Sequence, residues 1–375
     1  MDYNATTPHD PEVIKAILPF VDTHFGNPSS SHVFGMKTRE AIETARGQVA
    51  ALLNCKAGEV VFTSGGTESN NYAIIGSALA NKHKGNHIIT SQIEHPAVTE
   101  VCGILEKEGF HVTYLPVDEY GIVDVLDVKK AITPKTILIS IMHANNETGS
   151  IQPIREISGI ANNRGIIVHT DAAQSAGKIE TDVKKLGVDL LSIAGHKIYA
   201  PKGIGALYLK EDVQLAKYLH GAGQEKNRRA GTENVLEIVG LGKACEVAQR
   251  DLSVINNYMK KISDRLFNGL NEKGLNIKLN GHPEKRLPNT LYLSFYGVEA
   301  NTLFDEIKDR VAVSTGAACH SSDITVSKVL EAMNIPINWA KGTIRFSIGK
   351  MTSESDIDKV IDIFSNTINK ITNPD

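Results

Sequence analysis

Three stretches carry residue types whose spacing suits chemistry. The first is F-T-S-G-G-T-E-S-N-N, Phe62 to Asn71. An apolar run ends, two glycines turn, and a helical pattern starts at Thr67. Such a turn aims backbone N–H groups at an anion, and the bare Cα of Gly65 and Gly66 lets a phosphate approach. A plain strand–helix turn reads the same way, and no Gly-Lys-Ser/Thr follows to make it a P-loop. The second is H-T-D-A-A-Q, His169 to Gln174. Asp171 closes an apolar run, where open α/β sheets place their ligands. Its carboxylate suits a cation such as a protonated pyridine nitrogen, or equally the N-cap of a following helix. The third is L-S-I-A-G-H-K-I-Y-A-P-K-G, Leu191 to Gly203. Lys197 lies there in a glycine-flanked loop, 26 residues after Asp171. A pocketed lysine can lose its proton and form a Schiff base. Anion cradle, aspartate and lysine in this order are what pyridoxal 5'-phosphate requires.

A thiol adds to this set. Of the four cysteines, Cys55, Cys102, Cys245 and Cys319, no two form Cys-x-x-Cys, so neither a zinc ribbon nor a redox pair is expected, and no metal site. Cys102 and Cys245 sit in apolar periodic segments, as buried cysteines do. Cys319 lies in S-T-G-A-A-C-H-S-S-D, a stretch of small residues that reads as a mobile loop and not as an apolar periodic segment, although a buried structural cysteine is the commoner fate of a free thiol.

The elements that must position these groups are legible in outline. Apolar runs at Glu59–Ser64, His87–Gln92, His111–Val117, Thr136–Met142, Ile166–Thr170 and Leu190–Ile193 alternate with segments of helical length. That alternation predicts an α/β domain with a mostly parallel sheet. Leu207–Leu209 adds an antiparallel edge strand in this reading. Ile42, Ala45, Val49 and Leu52 mark a helix over Lys37–Leu53. After about residue 245 the pattern changes: a long helix over Val247–Leu270, strands at Asn289–Ser294 and Thr343–Ile348, and helices at Ala300–Arg310, Thr325–Met333 and Ser353–Ile371. We read residues 1–15 as a segment packed at the small domain or the domain interface, 16–245 as a large domain, and 246–375 as a small α+β domain carrying the Cys319 loop. At roughly 150 residues per domain, 375 residues suit two.

Composition narrows the class. Hydrophobic residues make up 41% and charged residues 22%, which excludes disorder as the main state. A formal charge of −3 gives no basic bias, so direct nucleic-acid binding is not expected. No run approaches the roughly 18 apolar residues of a membrane span, and M-D-Y-N-A-T-T-P lacks the regions of a signal peptide. A cytoplasmic protein is expected.

Taken together the motifs identify a resemblance. D-Y-N-A-T-T-P (Asp2–Pro8), G-N-P-S-S-S-H (Gly26–His32), the glycine turn, E-H-P (Glu94–Pro96), A-N-N-E-T-G (Ala144–Gly149), H-T-D-A-A-Q, G-H-K, R-A-G-T-E-N (Arg229–Asn234), G-A-A-C-H-S (Gly316–Ser321) and I-R-F-S-I-G (Ile344–Gly349) occur in the order found in cysteine desulfurases of the NifS/IscS type. These belong to the class-V aminotransferases, within the fold-type-I pyridoxal-phosphate enzymes. The resemblance implies a seven-stranded, mostly parallel sheet flanked by helices in the large domain. It makes Lys197 the cofactor lysine, Asp171 the partner of the ring nitrogen and Gln174 that of the ring hydroxyl. His95 would stack on the ring and move protons. Gly66, Thr67 and His196 would hold the phosphate, with Thr232 reaching the phosphate of a neighbouring subunit in a homodimer. Asn146 and Arg345 would clamp the substrate carboxylate, with Asn27 nearby. In isolation His95 reads as a capped loop histidine, Asn146 as a turn residue and Arg345 as a surface ion pair.

By the same resemblance, Cys319 is the nucleophile that takes sulfur from L-cysteine as a persulfide, leaves L-alanine, and passes the sulfur to an acceptor protein, for iron–sulfur cluster assembly or thio-modification. Two residues depart from many desulfurases. His320 follows the nucleophile where serine or threonine is common, and Ala194 stands where a phosphate-binding serine is common. Both resemble selenocysteine lyases, so L-selenocysteine is an alternative substrate. Another pyridoxal-phosphate aminotransferase or β-lyase is a more distant reading.

Overall fold

The computed structural model describes residues 1–320 and 323–372; the side chains of residues 317–325 lie outside that description. A seven-stranded sheet is built from β1 (Val60–Thr63), β2 (His87–Ser91), β3 (His111–Leu115), β4 (Thr136–Ser140), β5 (Ile167–Asp171), β6 (Leu190–Ala194) and β7 (Gly205–Leu209), in the order β1-β7-β6-β5-β4-β2-β3. Strands β3, β2, β4, β5 and β6 run parallel, as the strand–helix alternation predicts. Strand β7 is antiparallel to both neighbours, β1 and β6. It is therefore not the edge strand expected from sequence. Every residue of β7 is buried, which is why an interior place suits it, and β1 takes the edge.

A second sheet is formed by β8 (Ile277–Asn280), β9 (Thr290–Phe295), β10 (Ser314–Thr315) and β13 (Thr343–Ser347), in the order β10-β13-β9-β8. A separate antiparallel hairpin joins β11 (Ala317–His320) to β12 (Asp323–Val326), pairing Cys319 with Ile324. This corrects two expectations. The Cys319 segment is paired strand rather than free loop. The helix expected over Thr325–Met333 spans only Lys328–Ala332, because β12 takes the first residues and Ser327 caps the helix by accepting from Val329 N at 3.1 Å.

Two large cores, with smaller clusters around them, hold these sheets. The first collects Val49 and Leu53 from the helix Val33–Leu53 with Ile139, Ile193, Leu241 and Cys245. The second collects Leu293, Phe346 and Phe364 with Ile262 and Leu266. One 38-residue helix, Val235–Glu272, serves both. It begins twelve residues before the expected start, at the cap Asn234, and passes unbroken through the boundary read near residue 245. Leu241 and Ala248 lie in the first core, and Ile262, Leu266 and Leu270 in the second.

The N-terminal segment ties the two parts. Asp2 bridges Ser347 in β13, and Tyr3 N donates to Ser347 O at 3.1 Å. A few residues on, Thr7 N donates to His196 O and Asp10 N to Tyr199 O, both at 3.0 Å, in the loop after β6.

Close approach fixes one glycine. A Cβ on Gly205 would lie 2.7 Å from Gly65 Cα and 2.6 Å from Ile193 O, so the backbone of β7 presses directly on the glycine turn. Gly47, in the helix Val33–Leu53, has nothing within 4 Å of such a Cβ. Gly205→Ala is expected to lower stability by about 1–3 kcal/mol, and Gly47→Ala to raise it by about 0.5–1 kcal/mol. Urea midpoints for the two variants check both signs.

Candidate active site

A cavity of about 290 Å³ opens at the C-terminal ends of the parallel strands, where a doubly wound sheet binds its ligands. It gathers most of the residues expected from sequence. Gly66 and Thr67 come from the turn after β1, His95 from beyond β2, and Asn146 from beyond β4. Asp171 and Gln174 come from the end of β5, His196 and Lys197 from the loop after β6, and Arg345 from β13. Asn27 and Thr232 are not among the lining residues. Both are exposed, and the Asn27 side chain accepts from Ser29 N at 2.9 Å within its own loop. The Cys319 thiol lies outside the described residues.

The glycine turn opens a helix, as the motif predicts. Gly65 has φ +153°, and the 16-residue helix Gly66–Asn81 starts immediately after it. The N–H groups of that first turn have no intrahelical acceptor and point at the cavity mouth with the positive end of the helix dipole. A Cβ on Gly66 would press to 3.1 Å on Ala194 Cβ, so the turn and the end of β6 are packed at contact.

Asp171 spends its two oxygens on separate donors, and the helix-cap reading of the sequence does not hold. Its Oδ1 accepts from Ala173 N at 2.8 Å, but turns and no helix follow, so it is a turn residue and not an N-cap. Its Oδ2 accepts from Asn70 Nδ2 at 2.6 Å. Burial pushes this carboxyl up, against the hydrogen bonds from Ala173 and Asn70 and the fields of His95 and Lys197. A buried cation at this position would hold it ionised.

His95 likewise keeps its local role and gains another. Its Nδ1 accepts from Ala97 N at 3.1 Å as the cap of the helix Pro96–Lys107, which leaves the ring proton on Nε2. Burial lowers its basicity, with Asp171 opposing. His196 shares a contact with Thr6 Oγ1 at 3.2 Å, and burial and the Lys197 charge bring it down to about 4. It is a neutral ring at physiological pH.

Lys197 is an amine held for use. Its Nζ donates to Asn4 O and, at 2.8 Å, to Ala5 O. Burial, then the charge of Arg345, bring it down to about 8, with Asp2 and Asp171 opposing. The Arg345 guanidinium is buried and spreads its donors: Nη1 to Asn146 O at 3.1 Å, and Nη2 to Asp2 Oδ1 and Ser314 Oγ at 2.9 Å each. It is an ion pair, as its type suggests, but an interior one.

Three groups here escaped the sequence reading. Asn4 is 1% exposed and collects the site. Its carbonyl accepts from Gln174 Nε2 at 3.0 Å as well as from Lys197, its Oδ1 accepts from Lys178 Nζ at 3.2 Å, and its Nδ2 donates to Asn146 O at 3.2 Å. Lys178 also donates to Gln174 Oε1 at 3.0 Å and makes no ion pair among the described residues. Burial, then the charges of Lys197 and Arg345, bring it down to about 7. Asn70, within the first motif, is the amide that orients Asp171. Only the motif D-Y-N-A-T-T-P pointed toward Asn4, and nothing local showed what it binds.

Pyridoxal phosphate fits this cavity. Asn70 Oδ1 and Arg345 Nε are buried and have no hydrogen-bond partner. Lys178, Lys197 and Arg345 outnumber Asp2 and Asp171 as charge-bearing side chains, an imbalance that an anionic ligand corrects. The glycine turn offers the anion site, Asp171 the site for a ring cation, and Lys197 the amine.

Comparison with known proteins agrees. The family model described as "Aminotransferase class-V" matches residues 1–360. A cysteine desulfurase IscS of Dictyoglomus turgidum is 49% identical over 372 residues, covering 99% of this chain and 94% of that protein. One from Methanosarcina thermophila is 48% identical over 374 residues, covering 100% and 92%. Among solved structures, a NifS-like protein superposes with a TM-score of 0.92 at 36% identity, covering 98% of each chain. A structure titled "SspA in complex with cysteine" superposes with a TM-score of 0.81 at 36% identity, covering 94% of this chain and 99% of that one.

The lowered Lys197 amine gives a direct expectation for the cofactor-free protein. Its acylation by a small anhydride, followed by peptide mass spectrometry, should rise with pH and reach half its maximum at about 8. A profile centred near the ordinary lysine value of about 10.4 would show instead a solvated amine.

Proposed function

This chain belongs to the class-V aminotransferases and, within them, to the cysteine desulfurases, and we propose that its cavity performs the conversion of L-cysteine to L-alanine with sulfur transfer to Cys319. The observation that carries this reading is the convergence of Lys197, Asp171 and the glycine turn on one cavity that also holds Arg345. Pyridoxal phosphate, when bound, supplies an electrophilic aldehyde and a ring that withdraws electrons from the substrate α-carbon.

This chain's residues do the rest. Gly66, Thr67 and His196 hold the phosphate, and Asp171 keeps a positive ring nitrogen in place by opposite charge. Lys197 Nζ would hold the cofactor and, once the substrate amine has displaced it, would take the substrate α-proton. Burial and the Arg345 charge lower the basicity of this amine, which favours release of the proton as well as its capture. Gln174 Nε2 keeps one N–H after serving Asn4, enough for the ring hydroxyl. Asn146 and Arg345 orient the substrate carboxylate, for which Arg345 retains its unpaired Nε–H. The Cys319 thiolate then bonds to the substrate sulfur as the carbon–sulfur bond breaks. The bonding pair stays on carbon, which is protonated to give alanine, and the sulfur stays on Cys319 as a persulfide for an acceptor protein.

The working unit in this reading is a homodimer. Leu18, Val21, Phe25, Val33, Phe34 and Met36 form an exposed apolar surface, with Phe25 and Phe34 stacked at 5.4 Å. Surfaces of that kind mark subunit contacts. Thr232, exposed and outside its own cavity, is free to serve the neighbour's phosphate. The two cores support the division into a large domain over 16–245 and a small one over 246–375, with the helix Val235–Glu272 shared between them. Among the described residues no helix is long and apolar enough to cross a membrane, and we place the enzyme in the cytoplasm.

Cys319→Ser should abolish alanine formation from L-cysteine while the bound cofactor keeps its absorbance. Alanine release by that variant at the wild-type rate would remove Cys319 from the reaction. Running L-cysteine and L-selenocysteine side by side decides the substrate: alanine from selenocysteine alone would make His320 and its neighbours the features of a selenocysteine lyase. Pyruvate and ammonia in place of alanine would favour a β-lyase.

A further inference from the structure

Glu147 follows Asn146 directly, yet its side chain turns away from the cavity and toward the second sheet. One carboxylate oxygen, Oε2, accepts two O–H groups: Tyr292 Oη–H at 2.8 Å, from β9, and Ser327 Oγ–H. Tyr292 is 1% exposed, and burial followed by the Glu147 charge drives its phenol well up, so it stays a donor. Ser327 is the residue that leaves β12. Its N–H donates to Gly316 O at 2.8 Å, and Gly316, which enters β11, donates its own N–H to Thr343 O at 2.8 Å. Residues 316 and 327 are therefore the two feet of the hairpin that carries Cys319. Both stand on Tyr292: a Cβ on Gly316 would lie 2.5 Å from Tyr292 Oη and 3.0 Å from Thr343 Cβ. One strand earlier, Ser314 in β10 pairs with Arg345 in β13.

We propose that Glu147 is a positioning residue for sulfur transfer, whose carboxylate clamps the root of the Cys319 hairpin to the same loop that presents Asn146 to the substrate. The inference rests on the desulfurase reading above. A carboxylate accepting two hydroxyl protons makes two charge-assisted hydrogen bonds, which fix direction as well as distance. Substrate carboxylate and nucleophile are thereby referred to adjacent residues of one chain segment, 146 and 147. The clamp acts on the step that needs Cys319 and not on the step that needs Lys197.

The test separates those steps in the holoenzyme. The absorbance change on mixing with L-cysteine reports the Lys197 step, and single-turnover alanine release reports the Cys319 step. Glu147→Leu should slow alanine release by about 10-fold to 100-fold, a typical cost of misplacing a reacting group, and leave the absorbance change near the wild-type rate. Glu147→Gln keeps an acceptor oxygen in place and should restore most of the loss. Tyr292→Phe removes a single O–H from the clamp and retains the ring, so it tests the same step if Glu147→Leu does not fold; a smaller loss, again confined to alanine release, is expected. Alanine release unchanged in both Glu147→Leu and Tyr292→Phe, or both steps slowed alike, would overturn the proposal. A wild-type enzyme that forms no alanine from L-cysteine would instead defeat the underlying reading.

Discussion

The main-chain carbonyl of Asn4 accepts from both the Lys197 amine and the Gln174 amide, and the side chain of the same residue reaches Lys178, Asn146, Asn289 and Thr290. Lys197, Gln174, Lys178 and Asn146 are all placed by reference to this one residue. The segment around it is anchored at both ends, to β13 through Ser347 and to the loop after β6 through His196 and Tyr199. Tyr199 is itself held at φ +66°, a left-handed conformation that costs a non-glycine residue energy and persists where its surroundings fix it. Thr7 Oγ1 accepts its N–H at 2.9 Å, and the Lys350 ammonium lies 4.5 Å from its ring centroid. The N-terminal residues thus hold both Lys197 and Arg345 in place.

Charge is the second constraint. Lys178 is buried with two amide oxygens and no carboxylate, an arrangement that burial alone would disfavour. Its lowered basicity, like that of Lys197, follows from desolvation and from the crowding of cations around Arg345. An anionic ligand in the cavity would relieve it.

Local readings of single residues held only in part. His95 caps a helix, Asp171 closes a turn instead of capping a helix, and Arg345 forms an ion pair in the interior instead of at the surface. Each spends one atom on its local duty and still lines the cavity. Glu147 extends the pattern: placed by the turn that presents Asn146, it spends its carboxylate on the hairpin root.

Much of this was legible in the sequence because it is local. Alternating runs showed a parallel sheet, and Gly65-Gly66, Asp171 and Lys197 lie at or just past strand ends, where such a sheet places its ligands. Strand order was not legible. β7 reads as an edge strand from its length, and its interior place comes from pairing with both β1 and β6, partners far apart in the chain. The hairpin around Cys319 reads as loop because its residues are small and unpatterned, and the backbone pairing that makes it strand depends on Val326 and Thr325 meeting Ala317 and Ala318. Asn4, Lys178, Asn70 and Glu147 were invisible as functional groups for one physical reason. Each acts through hydrogen bonds to residues that are distant in sequence, 343 positions in the case of Asn4 and Ser347. Residue types and spacing determined the chemistry this chain can do. Which amine, amide and carboxylate are buried beside one another, and so which of them are tuned for it, was decided by the tertiary structure, because desolvation and long-range hydrogen bonding exist only once the chain is packed.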